Sequence, residues 1–501
     1  MKRFLCLGAV LFLCVLWTGC GEVFRPIIIP NPPQFPNPAA AHTVVTLSNN
    51  GITTTGQGVP PENPLPGGAM VIDVAGDSVV GVRSVSLNPV HAVLQSANDA
   101  LVVNQAVTGL LTPPSGCVVT IDNQDFNVCP TLSRLQFSGT TIINISTLTL
   151  PPNSAANFVA TTEASQAYVS LPNLFLDPIN HPNAATVAVV NTTNNNITTE
   201  VMVGNTPVAM AETPDGTKLY VANQGDGTLS AFNTKPSIST RTITGSPTSA
   251  PVWLSARSDS QQVYVLESNG TVAYLNTSLA TGDTFTETSI KVPLPVPTTS
   301  ANMWYDTILN RLYIPGGSGL AIIDVSQSVP QDQTFPGAVF PTVPVVSPSE
   351  RFRWDPCSRT TAPGTVSVVA ATSLPDGSRA YIGSYYLDGS GNVCPQVTVI
   401  DTTNNSIKTS IPVPGFPDAT ISNSLYYAPA CGTARFRFTM AAAGDSSRAY
   451  LASCDGGNVN IIYTSTDTYA ENAPAPPSNR NPIPPSILAP PQNPTFMFAG
   501  P

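Results

Sequence analysis

The sequence predicts an all-β protein that folds as a seven-bladed β-propeller, and three observations indicate this fold. First, a sequence motif recurs: residues 214–223 read PDGTKLYVAN, and related sequences occur at 375–382 and 444–451. Second, copies of its apolar-Tyr-apolar strand recur every 44 to 69 residues, which is near or above the length of one four-stranded blade. Third, the sequence between these copies is rich in Thr, Val and Ile, contains frequent Gly, Asn and Asp residues typical of turns, and has no helical periodicity. A generic β-sandwich array is the alternative fold.

Each copy can be divided into four predicted strands joined by turns. Residues 208–213 form a first strand, and Pro214-Asp215-Gly216 supplies a turn in which Pro presets φ and Gly takes a positive φ. Residues 219–222 return as a second strand that is apolar on both faces, as expected of a sheet covered on both sides. Residues 228–233 and 239–244 are the predicted third and fourth strands.

Seven copies can be aligned on the second strand. Six contain the tyrosine, and an earlier copy at 98–104 lacks it; the six are Tyr168, Tyr220, Tyr264, Tyr313, Tyr381 and Tyr450. Residues 70–74 and 78–85 have the pattern of a third and a fourth strand without a first pair. We therefore expect the C-terminal copy around Tyr450 to complete that blade, so that overlap of the N- and C-terminal strands closes the ring and leaves no free sheet edge.

The repeated text resembles the YVTN-type β-propeller repeat, in which PDG-x-x-x-YV-x-N is followed by a strand ending in Val-Ile-Asp-Thr. That ending stands at 398–402, and weaker forms stand at 321–324 and 188–192. The resemblance covers about residues 70 to 465. Propellers of this kind include lactonases and quinone-cofactor dehydrogenases, so the resemblance implies an enzyme as one alternative.

Composition bounds the compartment and the partners. Of 501 residues, 42% are hydrophobic and 10% are charged, with a net charge of −10. The chain can therefore bury a large hydrophobic core. It has no stripe of Lys and Arg residues, so we predict no nucleic-acid partner. Lys2-Arg3 followed by an apolar run to Trp17 predicts an export signal.

Cys20 directly follows that signal. Thr18-Gly19-Cys20 resembles the lipobox of bacterial lipoproteins, although the position three before the cysteine holds Trp17 instead of the usual Leu. This implies a lipid anchor on Cys20 and, from Gly21, sorting to the outer membrane or cell surface; an ordinary cleaved signal is the alternative. The predicted organisation is a signal peptide at 1–19, a Pro-rich tether at 20–41, the propeller at 42–469 and a Pro-rich tail at 470–501, the whole being a monomer.

The long insertions fall on one end of the predicted ring. In a four-stranded blade the turn between strands two and three and the link to the next blade open on the same end, and the insertions at 105–133, 171–185, 327–363, 385–396 and 412–433 all fall there. We predict that this end binds a ligand, because binding residues concentrate on loops that a rigid scaffold positions. Tolerance of one end to insertion is the alternative.

Six cysteines remain in the mature chain, and all lie in these loops or turns. In an oxidising compartment an even set indicates disulfides, for which fifteen pairings are possible. Proximity in the same blade favours Cys117–Cys129, Cys357–Cys394 and Cys431–Cys454.

Candidate binding residues lie on the same end. Arg351, Arg353, Trp354 and Asp355 could hold an anionic or sugar ligand by charge and stacking, or form a packed loop plug. Tyr385 and Tyr386, with Tyr426 and Tyr427, have the same two interpretations. For an enzyme, only Arg353, Asp355 and His181 are candidates, and they form no recognisable catalytic set.

No cofactor is predicted, with one weak calcium candidate. Asp388, Ser390 and Asn392 alternate as in a calcium loop, but the closing Glu is missing and such residues are common in hairpin turns. The sequence therefore favours an exported binding or scaffold protein whose ligand is a protein, a glycan or a small molecule. The alternatives are a lactonase-like or quinoprotein-dehydrogenase-like enzyme and a surface-layer or adhesion protein.

Overall fold

The computed structural model describes residues 42–49, 67–105, 117–121, 124–127, 129–277, 282–293, 302–334, 357, 366–417, 436–469 and 493–500. All of them belong to the unit Phe35–Pro501. They contain strands and turns only, and none of them forms a helix that could cross a membrane.

The described strands form eight four-stranded antiparallel blades, so the prediction of seven is wrong by one. From the axis outwards, blade 1 is built from Asn493–Ala499, Thr43–Asn49, Gly68–Asp73 and Ser78–Ser84. Blade 2 is built from Pro89–Ser96, Asp99–Asn104, Thr131–Ser138 and Thr141–Thr149, with the added hairpin Val118–Ile121 and Gln124–Asn127. Blade 3 is built from Phe158–Glu163, Gln166–Leu171, Thr186–Asn191 and Asn196–Met202.

One segment of the chain supplies outer strands to both blade 4 and blade 5. Blade 4 is built from Pro207–Glu212, Lys218–Asn223, Thr228–Asn233 and the short Ser239–Thr240. Blade 5 is built from Pro251–Ala256, Gln262–Glu267, Thr271–Asn276 and Asp283–Lys291, with Ile243–Thr244 added outside. The predicted fourth strand of blade 4, residues 239–244, is therefore divided between two blades.

The remaining blades complete the ring. Blade 6 is built from Trp304–Asp306, Arg311–Gly316, Gly319–Asp324 and Gln331–Asp332. Blade 7 is built from Ser367–Ser373, Arg379–Leu387, Asn392–Asp401 and Ser406–Pro412, and Phe416–Pro417 also pairs with its third strand. Blade 8 is built from Phe438–Ala442, Arg448–Ser453, Asn458–Tyr463 and Thr468–Tyr469.

The ring closes in blade 1, but through other strands than predicted. The copy around Tyr450 has four strands of its own, and the missing pair of blade 1 comes from Thr43–Asn49 and Asn493–Ala499. The innermost strand thus lies inside the Pro-rich segment that we expected to be a tail. Overlap of N- and C-terminal strands in one sheet is confirmed, because Val45 pairs with Phe498 and Leu47 with Phe496.

The repeated tyrosine is a core residue. All six tyrosines used to align the copies are fully buried. The residue two positions earlier points to the same side, because side chains alternate along a strand. Arg379 illustrates the result: its guanidinium donates to Asp467 of blade 8 at 2.9 Å, and the hydroxyl of Tyr381 donates to the same carboxylate at 2.6 Å.

This inter-blade clamp recurs with different residues. The first residue of the second strand reaches the turn between strands three and four of the following blade in five cases, which are Lys218 to Thr277, Gln262 to Ser328, Arg311 to Asn405, Arg379 to Asp467 and Arg448 to Asp77. The repeated text therefore specifies both a strand and its contact with the next blade.

The other repeated residues pin the turns. The hydroxyl of Thr402, which ends the Val-Ile-Asp-Thr text, donates to the Gly377 carbonyl at 2.6 Å, and Thr234 donates to Gly216 at 2.7 Å. The carboxylate of Asp401 accepts the amide of Thr403 at 2.9 Å and so closes the next turn. These contacts stabilise the turns between strands. We therefore assign these repeated residues to the scaffold and not to a ligand site.

The contribution of the clamp to stability can be tested by removing a single hydroxyl group from each of two tyrosines. Tyr381→Phe removes a hydrogen bond to an ionised, buried acceptor and should lower the free energy of unfolding by about 1.5–3 kcal/mol. Tyr450→Phe should be neutral or stabilising, because the Tyr450 hydroxyl is buried without a hydrogen-bond partner among the described residues. Urea unfolding of the two variants measures the difference, and equal losses would contradict a specific role for the Asp467 contact.

Candidate functional site at the loop-bearing face

One end of the ring holds all the long connections. Connections between strands two and three, and from strand four to the next blade, open at this end, which we call the loop-bearing face. They include the segments between Asn104 and Thr131, between Asp332 and Ser367, and between Tyr469 and Asn493. At the opposite end the connections are short turns, such as Thr402 to Asn405. The predicted segregation of the insertions to one end is confirmed by the strand order.

Disulfides fasten the connections of this face. Cys117 is bonded to Cys129, and Cys357 to Cys394, with Cα atoms 4.9 and 5.8 Å apart, as the sequence analysis favoured. Cys454 is also disulfide-bonded. Its predicted partner, Cys431, lies outside the described residues, so that pairing stays a prediction. A bond across a long loop restricts the unfolded chain and holds the loop against its blade.

A closed ring of five aromatic side chains lies at the inner strands of the loop-bearing face. Blades 2, 3, 5, 8 and 1 contribute one each, and the five are His91, Phe158, Trp253, Phe436 and Phe496. Successive centroids are 3.8, 5.7, 6.1, 5.8 and 4.9 Å apart on returning to His91. Each residue lies on, or just before, an innermost strand. The five side chains therefore meet close to the axis at this level.

The aromatic ring is built for packing and stacking. His91 stacks on Phe158 with an interplanar angle of 21°, and its Nδ1 accepts the amide of Val159 at 3.4 Å. Both side chains are buried, whereas Trp253 and Phe496 are half-buried. Aromatic faces favour offset or edge contacts with other rings and with the apolar faces of ligands. The five side chains thus form a mainly aromatic layer near the axis, which we call the aromatic floor.

A second aromatic group stands beside this floor, between blades 7 and 8. Tyr385 stacks on Phe438 at 5.2 Å, and the Arg437 guanidinium lies 5.6 Å from the Tyr385 ring. Arg437 is also paired with the buried Asp455. Tyr385 is half-buried, so part of its ring remains available at the face. The pairing neutralises Arg437 and leaves a mainly aromatic surface.

The other sequence candidates are distributed differently. Tyr386 is buried in the core that contains Cys357 and Cys394, which removes it from any binding surface. His181 is exposed on the connection of blade 3, where its amide donates to the Asp177 carbonyl at 2.8 Å. Among the described residues, no contact joins His181 to another candidate. Arg351, Arg353, Trp354, Asp355, Tyr426 and Tyr427 lie outside the described residues.

The calcium candidates form the tip of the hairpin in blade 7. The Asp388 carboxylate accepts the amides of Ser390 and Asn392 at 2.9 and 2.8 Å, and the Asn392 side-chain amide at 3.0 Å. These bonds account for the residues as a turn, which was the alternative interpretation. Cys357, Cys394 and Asp388 lie close enough together to share an ion, but the two sulfurs are bonded to one another. Calcium at Asp388 stays an untested prediction.

Two buried glutamates were not foreseen from the sequence. Glu267 ends the second strand of blade 5 at the loop-bearing face and accepts the amide of Ser249 at 3.0 Å. Burial, followed by the neighbouring Glu287 carboxylate, raises the pKa of Glu267 to about 7. Glu212, at the opposite end, accepts the amide of Thr162 at 2.6 Å, and burial raises its pKa to about 7. A carboxylate that ends an apolar strand, as in 263–267, is the signal that could have found them.

No protein-family model matches the chain, and no curated protein matches it either. Solved β-propeller structures do match. Apo AztD from Citrobacter koseri is 8% identical, with 91% of this chain and 98% of that chain covered and a TM-score of 0.50. The dihydro-heme d1 dehydrogenase NirN, in complex with DHE, is 10% identical, with 94% and 77% covered and a TM-score of 0.51. A putative 6-phosphogluconolactonase from Bacteroides fragilis is 12% identical, with 74% and 96% covered and a TM-score of 0.45.

The similarities to AztD and NirN establish the fold. At 8 to 10% identity a shared architecture is compatible with unrelated ligands and reactions, because function resides in sites placed on the fold. The chain is a β-propeller, and the YVTN-type repeat remains a resemblance.

The buried glutamates predict a pH dependence of stability. The unfolded chain loses these protons near pH 4.5, whereas the folded protein keeps them up to about pH 7. Their contribution to stability is therefore full below pH 4.5 and is lost as the pH rises to about 7. Glu212→Gln and Glu267→Gln keep a hydrogen-bond acceptor without the charge. Each should raise the free energy of unfolding at pH 7.5 by on the order of 1–3 kcal/mol and change it little at pH 4.5.

Denaturant unfolding at the two pH values measures this effect. Glu200→Gln, on the outer strand of blade 3, is the matched control and should change stability equally at both pH values. Variants of Glu212 and Glu267 with the same pH slope as the parent would show that these carboxyls are not the groups that hold protons in the folded state.

Proposed function

We propose that this protein is exported to the cell envelope of a bacterium, is attached to the outer membrane through lipid on Cys20, and binds a partner through the loop-bearing face. The support for export is the basic start, the apolar run and the cysteine that follows it. The disulfides give further support, because such bonds persist in oxidising compartments. The Pro-rich text at 20–41 would serve as the spacer between lipid and propeller.

The observation that carries the binding proposal is the asymmetry of the ring. Long connections, disulfide bonds and half-buried aromatic side chains occur together at one end, while the other end consists of short turns. Drift in loop length would not place a closed aromatic ring beneath the same connections. A scaffold of eight blades with cross-linked loops is suited to presenting a fixed surface.

The chemistry of this surface suggests the class of ligand. Trp253 and Tyr385 are half-buried, and Arg437 is already paired with Asp455. Such a surface favours groups with an apolar face, such as a sugar ring or an aromatic side chain, over a multiply charged anion. A glycan or a protein loop is thus a better match than a nucleotide or a phosphate.

The enzyme alternative has support from the fold only. Solved structures described as a dehydrogenase and as a putative lactonase share the architecture. Among the described residues, however, five aromatic side chains lie close to the axis at the loop-bearing face, and Glu267 is fully buried. We therefore assign no described residue to a reaction and retain binding as the proposed function.

Photo-cross-linking in the native cells tests the proposal with two positions of one blade. A cross-linking amino acid at Ser390, on the exposed hairpin tip, should capture a partner, because this tip stands at the loop-bearing face. The same amino acid at Asn404, in an exposed turn at the opposite end of blade 7, is the control and should capture nothing specific. Detection by mass change on a denaturing gel suffices.

The result of this experiment distinguishes the proposed binding function from its alternatives. Capture at position 404 alone, or equally at both positions, would contradict the assignment of the binding face. Capture of a second copy of this chain would favour the surface-layer or adhesion alternative. A Cys20→Ala variant examined in the same cells should leave the membrane fraction, and unchanged fractionation would overturn the lipid anchor.

A further inference from the structure

Blade 4 lacks half of its outer strand. Its fourth strand pairs with the third only at Phe232 and Asn233, through Thr240 and Ser239. The third strand begins at Thr228, on the loop-bearing face, so no described strand lies on the outer side of its first residues. In blade 7, by contrast, the fourth strand pairs with the third from Gln396 to Asp401. The outer edge of blade 4 is therefore open next to the loop-bearing face.

The opening is specified by the sequence. After Thr240 the chain crosses to blade 5, where Ile243 and Thr244 pair in parallel with Asp283 and Thr284. Gly245 has a φ of +92°, and a Cβ there would lie 3.0 Å from the Phe285 carbonyl oxygen. Only glycine combines this φ with so close an approach. The departure from blade 4 is thus a built crossover between blades.

The open edge presents an unused backbone pair. Ala231 directs its carbonyl outwards, since it accepts the amide of Arg241 at 2.8 Å. Backbone groups alternate in direction along a strand, so Leu229 also directs its N–H and C=O outwards. No described strand pairs with Leu229 on that side. Unpaired edge groups of this kind are the template on which a further strand can add.

A groove of about 290 Å³ lies against this edge. It is lined by the third strand of blade 4, by the crossover at Ile243–Pro247 and by Met202 of blade 3. Arg241 contributes the one charged side chain of the lining, and Asp283 neutralises it at 2.7 Å with both groups buried. The groove is therefore electrically neutral, although the chain has a net charge of −10.

We propose that this groove binds an extended, uncharged peptide segment of a partner protein, which adds as a strand to blade 4 beside Leu229. An incoming backbone can exchange two hydrogen bonds with Leu229, which a lipid or a sugar cannot do in this geometry. Alternate side chains of the peptide enter the groove beside Met202 and Ile243. The neutral lining selects against charged segments, because a charge would be desolvated there without a counter-ion.

An exposed apolar connection continues this surface on blade 3. Phe175, Leu176 and Ile179 are exposed, and Ile179 retains 89% of its accessible area. The base of this connection is fixed, because the Thr186 hydroxyl donates to the Leu174 carbonyl at 2.7 Å, and Thr186 pairs with Met202. A peptide leaving the groove past Met202 would therefore meet further apolar contacts. This peptide site is separate from the aromatic floor and does not rest on the proposed function.

The test uses full-length protein in a non-ionic detergent and a random dodecapeptide library displayed on phage. Selected peptides should contain uncharged stretches with alternating apolar residues, and synthetic blocked copies should bind with a Kd of about 1–100 μM. Leu229→Pro removes the outward N–H, which an edge strand tolerates, together with the leucine side chain, and should weaken binding at least about tenfold. Leu229→Ala is the matched control, which keeps the N–H and should weaken binding less.

A second measurement makes the result independent of how well Leu229→Pro folds. Methylation of the peptide backbone at alternate nitrogens should abolish binding in one phase and spare it in the other, because only one edge of the peptide would face Leu229. Failure to select any peptide, equal binding to the parent and Leu229→Pro proteins, or equal tolerance of both methylation phases would overturn the proposal. Leu229→Pro should leave the cross-link at position 390 intact, so loss of one site is distinguishable from loss of the other.

Discussion

Closure of blade 1 by the two ends of the chain is the constraint on which the rest of the structure depends. Asn493–Ala499 pairs with Thr43–Asn49, and the inner strand then packs between blades 8 and 2. Val44, Val45 and Leu47 are completely buried as a result. Without this pairing the ring would have two open sheet edges, which are sites of aggregation in β proteins.

The closing strand also completes the candidate site. Phe496 belongs to it and bridges His91 of blade 2 and Phe436 of blade 8. The aromatic floor therefore exists only when the ring is closed. Fold and site are coupled through a single strand, whereas the repeated clamps, such as that of Tyr381 with Asp467, act between one blade and the next.

The repeat made much of the fold predictable. Its tyrosines, its turns and its strand order are local features. Blades 2 to 8, the position of the insertions at one end of the ring and two disulfide pairs could therefore be inferred from the sequence. Blade 1 could not. Its second strand, Thr43–Asn49, lacks both the tyrosine and the Pro-Asp-Gly turn, because its first strand comes from the other end of the chain and no turn joins them.

The site was less predictable for a related reason. The five aromatic residues belong to five blades and to no shared motif, so only the closed ring brings them together. The open edge of blade 4 was hidden because residues 239–244 have the pattern of an ordinary outer strand, and the crossover depends on Gly245. In this protein the repeated residues hold the blades together, and the residues with binding potential do not repeat.

The most direct test of this account is deletion of residues 493–501, followed by thermal unfolding with and without a synthetic peptide of the same sequence. The truncated protein should lose its cooperative transition or unfold at least about 3 °C lower, since loss of buried Met497 and its neighbours exceeds about 3 kcal/mol. Addition of the peptide should restore the transition. Deletion of Pro501 alone is the control. A truncated protein that unfolds like the parent would show that the ring does not depend on this strand.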